Sequence, residues 1–291
     1  MEKYDKYKIE DVTLLKSPTI YFWLKSHGFS EHFIKALRKN VDSFKLNGKS
    51  CQINQKFCDG DLLEILKNPH QASSIQPCDG DLDIVYEDED YLAVNKPHLL
   101  ACIPTRSHYK DNLGGRVMRY MQRQDPNFVL RIKNRLDKDT AGIVIIAKST
   151  AAYNNLKEID KTYFALCRGR FAESQFTINS PILTVTKNGI NQMKRVISED
   201  GKPSTTHVHV EKQFDSIALA KFKLETGRTH QIRVHLSSVG HSLLGDPIYS
   251  SVPESEPHTF LILKEVSFTN PRTGKHVDIK TPFPEEWSKY I

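Results

Sequence analysis

A chain of 291 residues, of which 38% are hydrophobic, is long enough to bury a substantial core and to form one large domain with a smaller one. The net charge of +6 fits a polyanionic partner but does not by itself identify one. No stretch approaches the ~18 consecutive apolar residues of a membrane helix, and residues 1–6 do not begin a signal peptide, so we expect a cytoplasmic protein with no membrane partner. The five cysteines are an odd number and contain no Cys-x-x-Cys pair, so they suggest neither a disulfide framework nor a zinc knuckle and are predicted to be reduced packing residues.

The first part of the chain predicts a small module of two short helices and a small sheet. Within residues 19–66, two short amphipathic segments precede strand-like runs that are separated by an Asn47-Gly48 turn. We therefore assign residues 1–66 to an N-terminal α/β module. Residues 67–81 are polar and contain two prolines, which predicts a linker.

Residues 82–291 predict a large domain in which strands outnumber helices. Helices are expected at 112–123 and 151–158, and the Asp200-Gly201 pair predicts a hairpin between 193–198 and 204–210. No Gly-x-Gly-x-x-Gly or Walker-type loop is present, which disfavours a doubly wound nucleotide fold. The predicted class is α+β, with a mixed, largely antiparallel sheet and flanking helices.

A polar turn next to a buried strand is the first candidate functional segment. Residues 134–142 read NRLDKDTAG and run directly into the apolar segment 143–147. Such an aliphatic run predicts a strand that is covered on both faces. The carboxylate of Asp137 is therefore expected at the mouth of a rigid strand, where it can meet a ligand.

A second block agrees with the first. Residues 226–236 read TGRTHQIRVHL, and 245–249 read GDPIY. Together with 84–88, 94–97 and Lys161-Thr162-Tyr163, these segments resemble RluA-type pseudouridine synthases, over roughly residues 82–285. The resemblance implies isomerisation of uridine in structured RNA, with ribosomal RNA favoured over transfer RNA and no cofactor or metal. The catalytic domain is then 82–291, and the enzyme is expected to act as a monomer.

The resemblance also implies roles for individual residues. Asp137 corresponds to the catalytic aspartate, Arg233 to its ion-pair partner, and Tyr163 to the tyrosine whose ring packs against the target base and whose hydroxyl can assist removal of the C5 proton. The RNA-binding residues expected in the catalytic domain are Arg135, Arg228 and His230. If 135–137 are extended, Arg135 and Asp137 share one face, so Arg135 can fill the space that a flipped nucleotide leaves. Thr226 or Thr229 is expected to start the helix that carries Arg233, and Gly240 to end it.

The chain departs from the family pattern at several places, which include Ala141 in place of the usual serine and Leu261-Ile262-Leu263 in place of a Leu-His-Ala element. Asn134 stands where the family commonly has histidine, and Leu99 and Ile103 stand where it usually has glycine and histidine. The N-terminal module resembles the RNA-binding module named after small-subunit ribosomal protein four. That resemblance places Lys35, Arg38 and Lys39 near RNA phosphates.

Two other interpretations of the side chains are less well supported. Asp139 is a second carboxylate, but two carboxylates in one turn cannot flank a sugar as a glycosidase requires, so a turn or capping role is predicted. The spacings of His207, His209, His230, His235 and His241 match no common zinc pattern. The rival functions are a catalytically silent RNA or ribosome binder and a glycosidase that releases uracil.

Overall fold

The computed structural model describes residues 4–29, 31–66, 75–104, 109–187, 190–250, 252–253 and 255–291, without the side chains of 14, 32, 187 and 190–193. Most of the predicted linker, residues 67–74, lies outside this range. The described remainder of that segment is packed on the large domain: Ile75 contacts its core, and the Cys78 N–H donates to the Gly115 carbonyl at 3.1 Å.

An N-terminal sheet stands apart from the central sheet. Its strands are β1 (Tyr4–Lys8), β2 (Phe44–Leu46), β3 (Lys49–Cys51) and β4 (Leu62–Leu66), which pair antiparallel in the order β1-β4-β2-β3. Helices α1 (Ile20–Ser26) and α2 (Glu31–Arg38) cover it, as the sequence pattern predicted. Asn47 and Gly48 both have positive φ, which is the conformation that a two-residue hairpin requires.

The N-terminal unit has its own hydrophobic core, built around Trp23, Phe33 and Phe44. One residue of the large domain, Ala151, joins this core. Because a buried apolar contact crosses between them, the two units are packed against each other and are not merely tethered.

The large domain is a twisted mixed sheet. Within the described residues it has nine strands: eight follow the order β5-β6-β7-β14-β8-β13-β12-β9, and the ninth, β15, pairs with β14. Their bounds are β5 (Ile84–Glu87), β6 (Tyr91–Lys96), β7 (Ala141–Ala147), β8 (Asp160–Arg168), β9 (Gln175–Asn179), β12 (Thr205–Gln213), β13 (Ile217–Leu224), β14 (Leu261–Thr269) and β15 (His276–Lys280). Only the β7–β14 pair is parallel among them. The α+β class with a largely antiparallel sheet is thus confirmed.

Strand β7 is buried along its whole length, as its sequence predicted. It pairs antiparallel with β6 and parallel with β14, so both of its edges are occupied. Gly142 has φ 113°, and a Cβ atom there would lie 2.2 Å from the Leu263 carbonyl oxygen. Glycine therefore permits the close approach of β14 at the end of β7 that lies beside the polar turn.

The helices are α3 (Leu113–Gln122), α4 (Thr150–Asn155) and α5 (Gln231–Ser238), with short 3₁₀ turns at Val12–Leu14 and Glu285–Lys289. The predicted helix at 112–123 is confirmed, and the Asn112 side chain caps it by accepting from Gly115 N. The predicted helix at 151–158 ends earlier, because Leu156 turns to an extended conformation and buries its side chain. None of the helices in the described ranges has the length and apolar character needed to cross a membrane.

The hairpin predicted around Asp200-Gly201 is wrong. Strand β11 (Ile190–Ile197) pairs with β10 (Ile182–Lys187), whereas β12 pairs with β9 and β13. Lys202 exchanges backbone hydrogen bonds of 3.0 and 2.9 Å with Ile182, so the turn folds back on the start of β10. A Cβ on Gly201 would lie 2.6 Å from the Ile182 backbone, which explains the glycine by close packing rather than by a hairpin.

Candidate active site

The segment that carries Asp137 lies beside β7 and is attached to it by one side chain. The Asn134 amide donates to the Ile143 carbonyl and accepts from the Ile145 N–H, both at 2.9 Å. Leu136 is buried, while Arg135 is exposed and Asp137 is half-buried. This alternation is that of an extended chain, and both Arg135 and Asp137 line one cavity. The predicted shared face is thus present, and the substitution at 134 keeps a group that can hold this backbone.

Two buried side chains, Lys96 and Cys102, hydrogen-bond to the backbone of the segment that carries Asp137. The Lys96 ammonium donates to the carbonyls of Pro97, Leu100 and Lys138 at 2.9, 2.9 and 3.1 Å, and burial lowers the pKa of Lys96 to about 8. It thereby ties the end of β6 to the turn that follows Asp137. The sequence analysis included Lys96 in the segment 94–97 that resembles the family but gave it no role. The signal that could have indicated a structural role is its position at the end of a run of strand-forming residues.

The Cys102 thiol supports the residue next to Asp137. Its Sγ donates to the Leu136 carbonyl at 3.2 Å and accepts from the Leu136 N–H at 3.3 Å. Burial raises the pKa of this thiol, so it stays protonated and able to donate. The cysteine predicted as a packing residue therefore also satisfies backbone groups at the site.

Helix α5 begins at Gln231, later than either predicted threonine. His230 precedes it with φ 58°, and the Gln231 side chain accepts from Arg228 N and from the Thr226 hydroxyl. These hydrogen bonds fold residues 226–230 into a loop at the helix start, so neither threonine is the cap. Gly240, with φ 87°, lies just after the helix end, as predicted.

Arg233 is buried, with 1% of its surface exposed, but its main partner differs from the predicted one. Its Nε and Nη2 donate to the two oxygens of Asp246, both at 2.7 Å, and its Nη1 lies 3.7 Å from Asp139 Oδ2. The expected direct pair with Asp137 is replaced by these two carboxylates. Asp246 is held in position to pair with Arg233 because its carboxylate also accepts hydrogen bonds from the N–H groups of Ile248 and Tyr249.

In the Arg233–Asp246 pair, each charged group offsets the effect of burial on the pKa of the other. Burial alone would raise the pKa of Asp246, but the guanidinium hydrogen bond and charge outweigh it and lower that pKa. Burial alone would lower the pKa of Arg233, but the Asp246 carboxylate outweighs it and raises that pKa. Both groups are therefore ionised, and the pair gives the floor of the cavity a fixed cation.

His230 is the basic side chain that approaches Asp137 within the described part of the chain. Its Nε2 lies 4.0 Å from Asp137 Oδ2, and its Nδ1 is 2.9 Å from the Tyr249 hydroxyl. That hydroxyl accepts from the Arg195 N–H at 2.8 Å, which leaves its proton available for Nδ1. Burial lowers the pKa of His230 although Asp137 acts to raise it. A neutral imidazole with its proton on Nε2, facing Asp137, fits these contacts best.

Tyr163 lies on β8 and lines the same cavity as Asp137 and Arg233. Burial and the charge of Asp137 both raise the pKa of Tyr163, so its phenol is protonated at neutral pH. The predicted set of three is thus brought together around one space. A protonated phenol there can donate a hydrogen bond and present its ring to a planar ligand.

The cavity has a volume of about 560 Å³ and a strongly positive lining. Among the described residues that line it, Asp137 is the carboxylate, and the lysines and arginines are Lys133, Arg135, Lys138, Lys161, Arg228 and Arg233. One anion surrounded by cations suits a polyanionic ligand that brings a reactive group to the carboxylate. Of the predicted RNA contacts, Arg135, Arg228 and His230 line this space, whereas Lys35, Arg38 and Lys39 belong to the N-terminal unit.

One group of side chains in the described residues has the composition of a metal site: His98, His258 and Glu286. The two imidazole rings are stacked, with centroids 3.8 Å apart and planes 24° from parallel. Ring-nitrogen lone pairs lie in the ring plane, and planes this nearly parallel meet far beyond the ~2.0–2.1 Å reach of a Zn–N bond. The arrangement therefore does not suit one ion bound by both rings.

Two of the five histidines considered in the sequence analysis hydrogen-bond to threonine side chains: His207 to Thr177 and His235 to Thr206.

Comparison with known proteins assigns the chain to an enzyme family. Residues 90–238 match the family described as RNA pseudouridylate synthase. The chain is 31% identical to the Bacillus subtilis (strain 168) protein described as an uncharacterized RNA pseudouridine synthase, YjbO, over 91% of this chain and 95% of that protein. It is 33% identical to ribosomal large subunit pseudouridine synthase D of Escherichia coli (strain K12), over 72% of this chain and 65% of that protein.

The solved structures agree with the sequence relatives. Human RNA pseudouridylate synthase domain containing 1 superposes with a TM-score of 0.57 at 28% identity, covering 75% of this chain and 89% of that one. Human RNA pseudouridylate synthase domain containing 4 has the same fold, with a TM-score of 0.59 over 71% of this chain and 90% of that one. The chain belongs to the RNA pseudouridylate synthase family, on its RluA-type branch.

Proposed function

We propose that Asp137 is the catalytic carboxylate with which this enzyme isomerises specific uridines of ribosomal RNA to pseudouridine. The observation that carries the assignment is its position as the carboxylate in a cavity lined by six lysine and arginine side chains. The RNA-modifying isomerase activity follows from the family. The preference for ribosomal RNA rests on the similarity to ribosomal large subunit pseudouridine synthase D, and transfer RNA is the second candidate substrate.

The reaction needs only what the cavity residues supply. The bond from ribose C1′ to uracil N1 breaks, the base turns, and C1′ bonds to C5; the C5 proton leaves and N1 gains one, so atoms and electrons balance. Asp137 can attack the sugar, attack the base or remove a ribose proton, and each route uses it as an anion.

Arg233 and Tyr163 support the chemistry in different ways. Arg233 supplies a fixed positive charge from below, because Asp246 holds two of its nitrogens. Tyr163 has a raised pKa, which makes its phenolate scarce at neutral pH. We therefore assign it to packing and hydrogen bonding of the base rather than to removal of the C5 proton.

The RNA surface extends from the cavity rim to the N-terminal module. Arg135, which is exposed beside Asp137, fills the gap left by the flipped uridine, and Arg228 and His230 contact the nucleotide. Helix α2 buries Phe33, Ile34 and Leu37 and exposes Lys35, Arg38 and the adjacent Lys39. These three cations contact RNA phosphates, which gives residues 1–66 the role of an RNA-binding module. The protein acts in the cytoplasm as a monomer.

Tritium release from RNA tests the proposal directly. Unmodified transcripts of large-subunit ribosomal RNA and of a transfer RNA pool are labelled at uracil C5, and release is measured with the native protein and with Asp137→Asn. Release by the native protein alone supports Asp137, and the transcript that responds identifies the substrate class. Binding without release from either pool supports the silent binder, whereas free uracil and a loss of RNA mass support the glycosidase.

A further inference from the structure

A lysine of the cavity lining has no role in the chemistry described above. Lys161 lies two residues before Tyr163 on β8, and alternate residues of a strand share one face. Both side chains line the cavity. Thr162, between them, lines a separate groove on the opposite face of the sheet, where Lys223 also lies. Lys161 and Lys223 therefore belong to the same sheet but face different surfaces.

Lys161 is a half-buried cation, and its partners within the described residues do not neutralise it. Burial lowers its pKa, and the neighbouring Asp160 is the acid that acts on it. The Asp160 carboxylate, however, forms its salt bridge with Lys223 at 2.5 Å. No hydrogen bond or salt bridge of the Lys161 ammonium is present in the part of the chain that the structure describes. A partly desolvated charge of this kind has a free-energy cost that an incoming anion can offset.

Two other cations that line the cavity, Lys133 and Arg233, form hydrogen bonds within the protein. The Lys133 ammonium donates to the carbonyls of Tyr153 and Leu156 at 2.7 and 2.6 Å, which ends α4. Arg233 is held by Asp246. Lys161 differs from both because its ammonium has no such hydrogen bond within the described residues and can therefore bind a ligand.

We propose that Lys161 binds a phosphodiester oxygen of the substrate RNA beside the flipped uridine. The inference rests on the proposed function and adds the contact that holds the nucleotide's backbone while Tyr163 holds its base. Lys161 and Tyr163 line the cavity from the same face of β8, so a phosphate bound at Lys161 lies beside a base that packs against Tyr163. The Cα atoms of Lys161 and Tyr163 are about 6.6 Å apart along the strand, and the flexible lysine stem extends that reach.

Salt dependence of binding separates a phosphate contact from a contact with the base. Affinity for unmodified transcripts of large-subunit ribosomal RNA and of transfer RNA is measured in an Asp137→Asn background, so that the RNA is not turned over. The added variants are Lys161→Gln, Lys161→Met, Lys161→Arg and, as a matched control on the opposite face, Lys223→Gln. Circular dichroism establishes that each variant is folded, and Lys161→Met provides a second neutral side chain in case Lys161→Gln does not fold.

We expect both neutral variants to weaken binding about five- to tenfold at low ionic strength, and to lower the slope of log affinity against log salt by about 0.7–0.9, the value for one phosphate contact. Lys161→Arg and Lys223→Gln should keep the original slope. An unchanged slope in the neutral variants overturns the proposal, as does an equal loss in Lys223→Gln. Slower tritium release by Lys161→Gln with Asp137 intact, at unchanged affinity and slope in the Asp137→Asn background, also overturns it, because it indicates a contact with the base. Since binding is read without turnover, absence of tritium release by the native protein would reject the proposed function and leave this result standing.

Discussion

Arg233 and Asp246 form a two-point ion pair beneath the cavity, with both donor–acceptor distances at 2.7 Å. Asp246 has no exposed surface and also accepts from two backbone N–H groups. The guanidinium is thus oriented by a carboxylate 13 residues later in the chain, and within the described residues no arginine forms a salt bridge with Asp137. This separates the residue that holds the arginine from the residue that we assign to catalysis.

Replacing Asp246 with asparagine should destabilise the protein by about 3–5 kcal/mol, because it leaves a buried guanidinium without its counter-charge. Urea unfolding measures this, with the exposed Asp278→Asn as control. The lowered pKa of Asp246 means that its contribution is complete above the ordinary aspartate pKa of about 3.9 and is lost as pH falls through the folded value. The difference between native and variant stability should therefore shrink on acidification; a constant difference would contradict the pairing.

Asn134→Ala should lower the free energy of unfolding by about 2–3 kcal/mol, since it leaves the Ile143 carbonyl and the Ile145 N–H without their side-chain partner. It should also slow tritium release, because the Asp137 segment loses its attachment to β7. Denaturant titration and single-turnover rates test the two effects, with the exposed Asn127→Ala as control. Normal stability would show that water replaces the amide.

The difference in unfolding free energy between the native protein and Lys96→Met should depend on pH. The pKa of Lys96 falls from an ordinary 10.5 to about 8, so between these values the unfolded chain holds more proton than the folded one. Native stability should rise relative to the variant across that window, by up to about 1.4 kcal/mol per pH unit, and the difference should be flat below pH 8. Unfolding at several alkaline pH values measures it, with the surface variant Lys280→Met as control. A difference that does not change with pH would contradict the burial of a charged Lys96.

Leu99→Gly should stabilise the protein by about 0.5–1 kcal/mol. Leu99 has φ 63° and is 48% exposed, so it has backbone strain with little burial in return. Glycine removes the strain, although it adds freedom to the unfolded chain. A rise in melting temperature of roughly 1–4 °C is expected for a protein of this size. Leu99→Ala keeps the Cβ atom and should show no gain; equal behaviour of the two variants would exclude strain as the cause.

Arg135→Ala should reduce tritium release more than tenfold while changing stability by less than about 0.5 kcal/mol, because the side chain is exposed and its proposed partner is the RNA. The measurement is single-turnover release alongside thermal unfolding, with Arg119→Ala on the surface of α3 as control. An Arg135→Ala protein that modifies RNA at the normal rate would remove the gap-filling role.

Short-range patterns in the sequence were sufficient for the class of fold, the buried strand β7 and the helix at 112–123, because these features follow from the period of apolar residues and from local turn and capping residues. The gathering of Asp137, Tyr163 and Arg233 around one cavity was implied by the family resemblance, because these residues are far apart in the chain. The hairpin at Asp200-Gly201 was wrong because an Asp-Gly pair specifies a turn but not the strand that the turn meets.

Only the tertiary structure decided which partners the polar side chains take. Lys96 reaches a carbonyl 42 residues away, and Asp246 competes successfully with Asp137 for Arg233. Lys161 and Lys223 look alike as lysines in strands, yet they lie on opposite faces of the sheet. Composition and motifs determine which charges are present, whereas burial and long-range hydrogen bonds, which arise only when the strands assemble, determine which charge is paired within the protein and which is free for RNA.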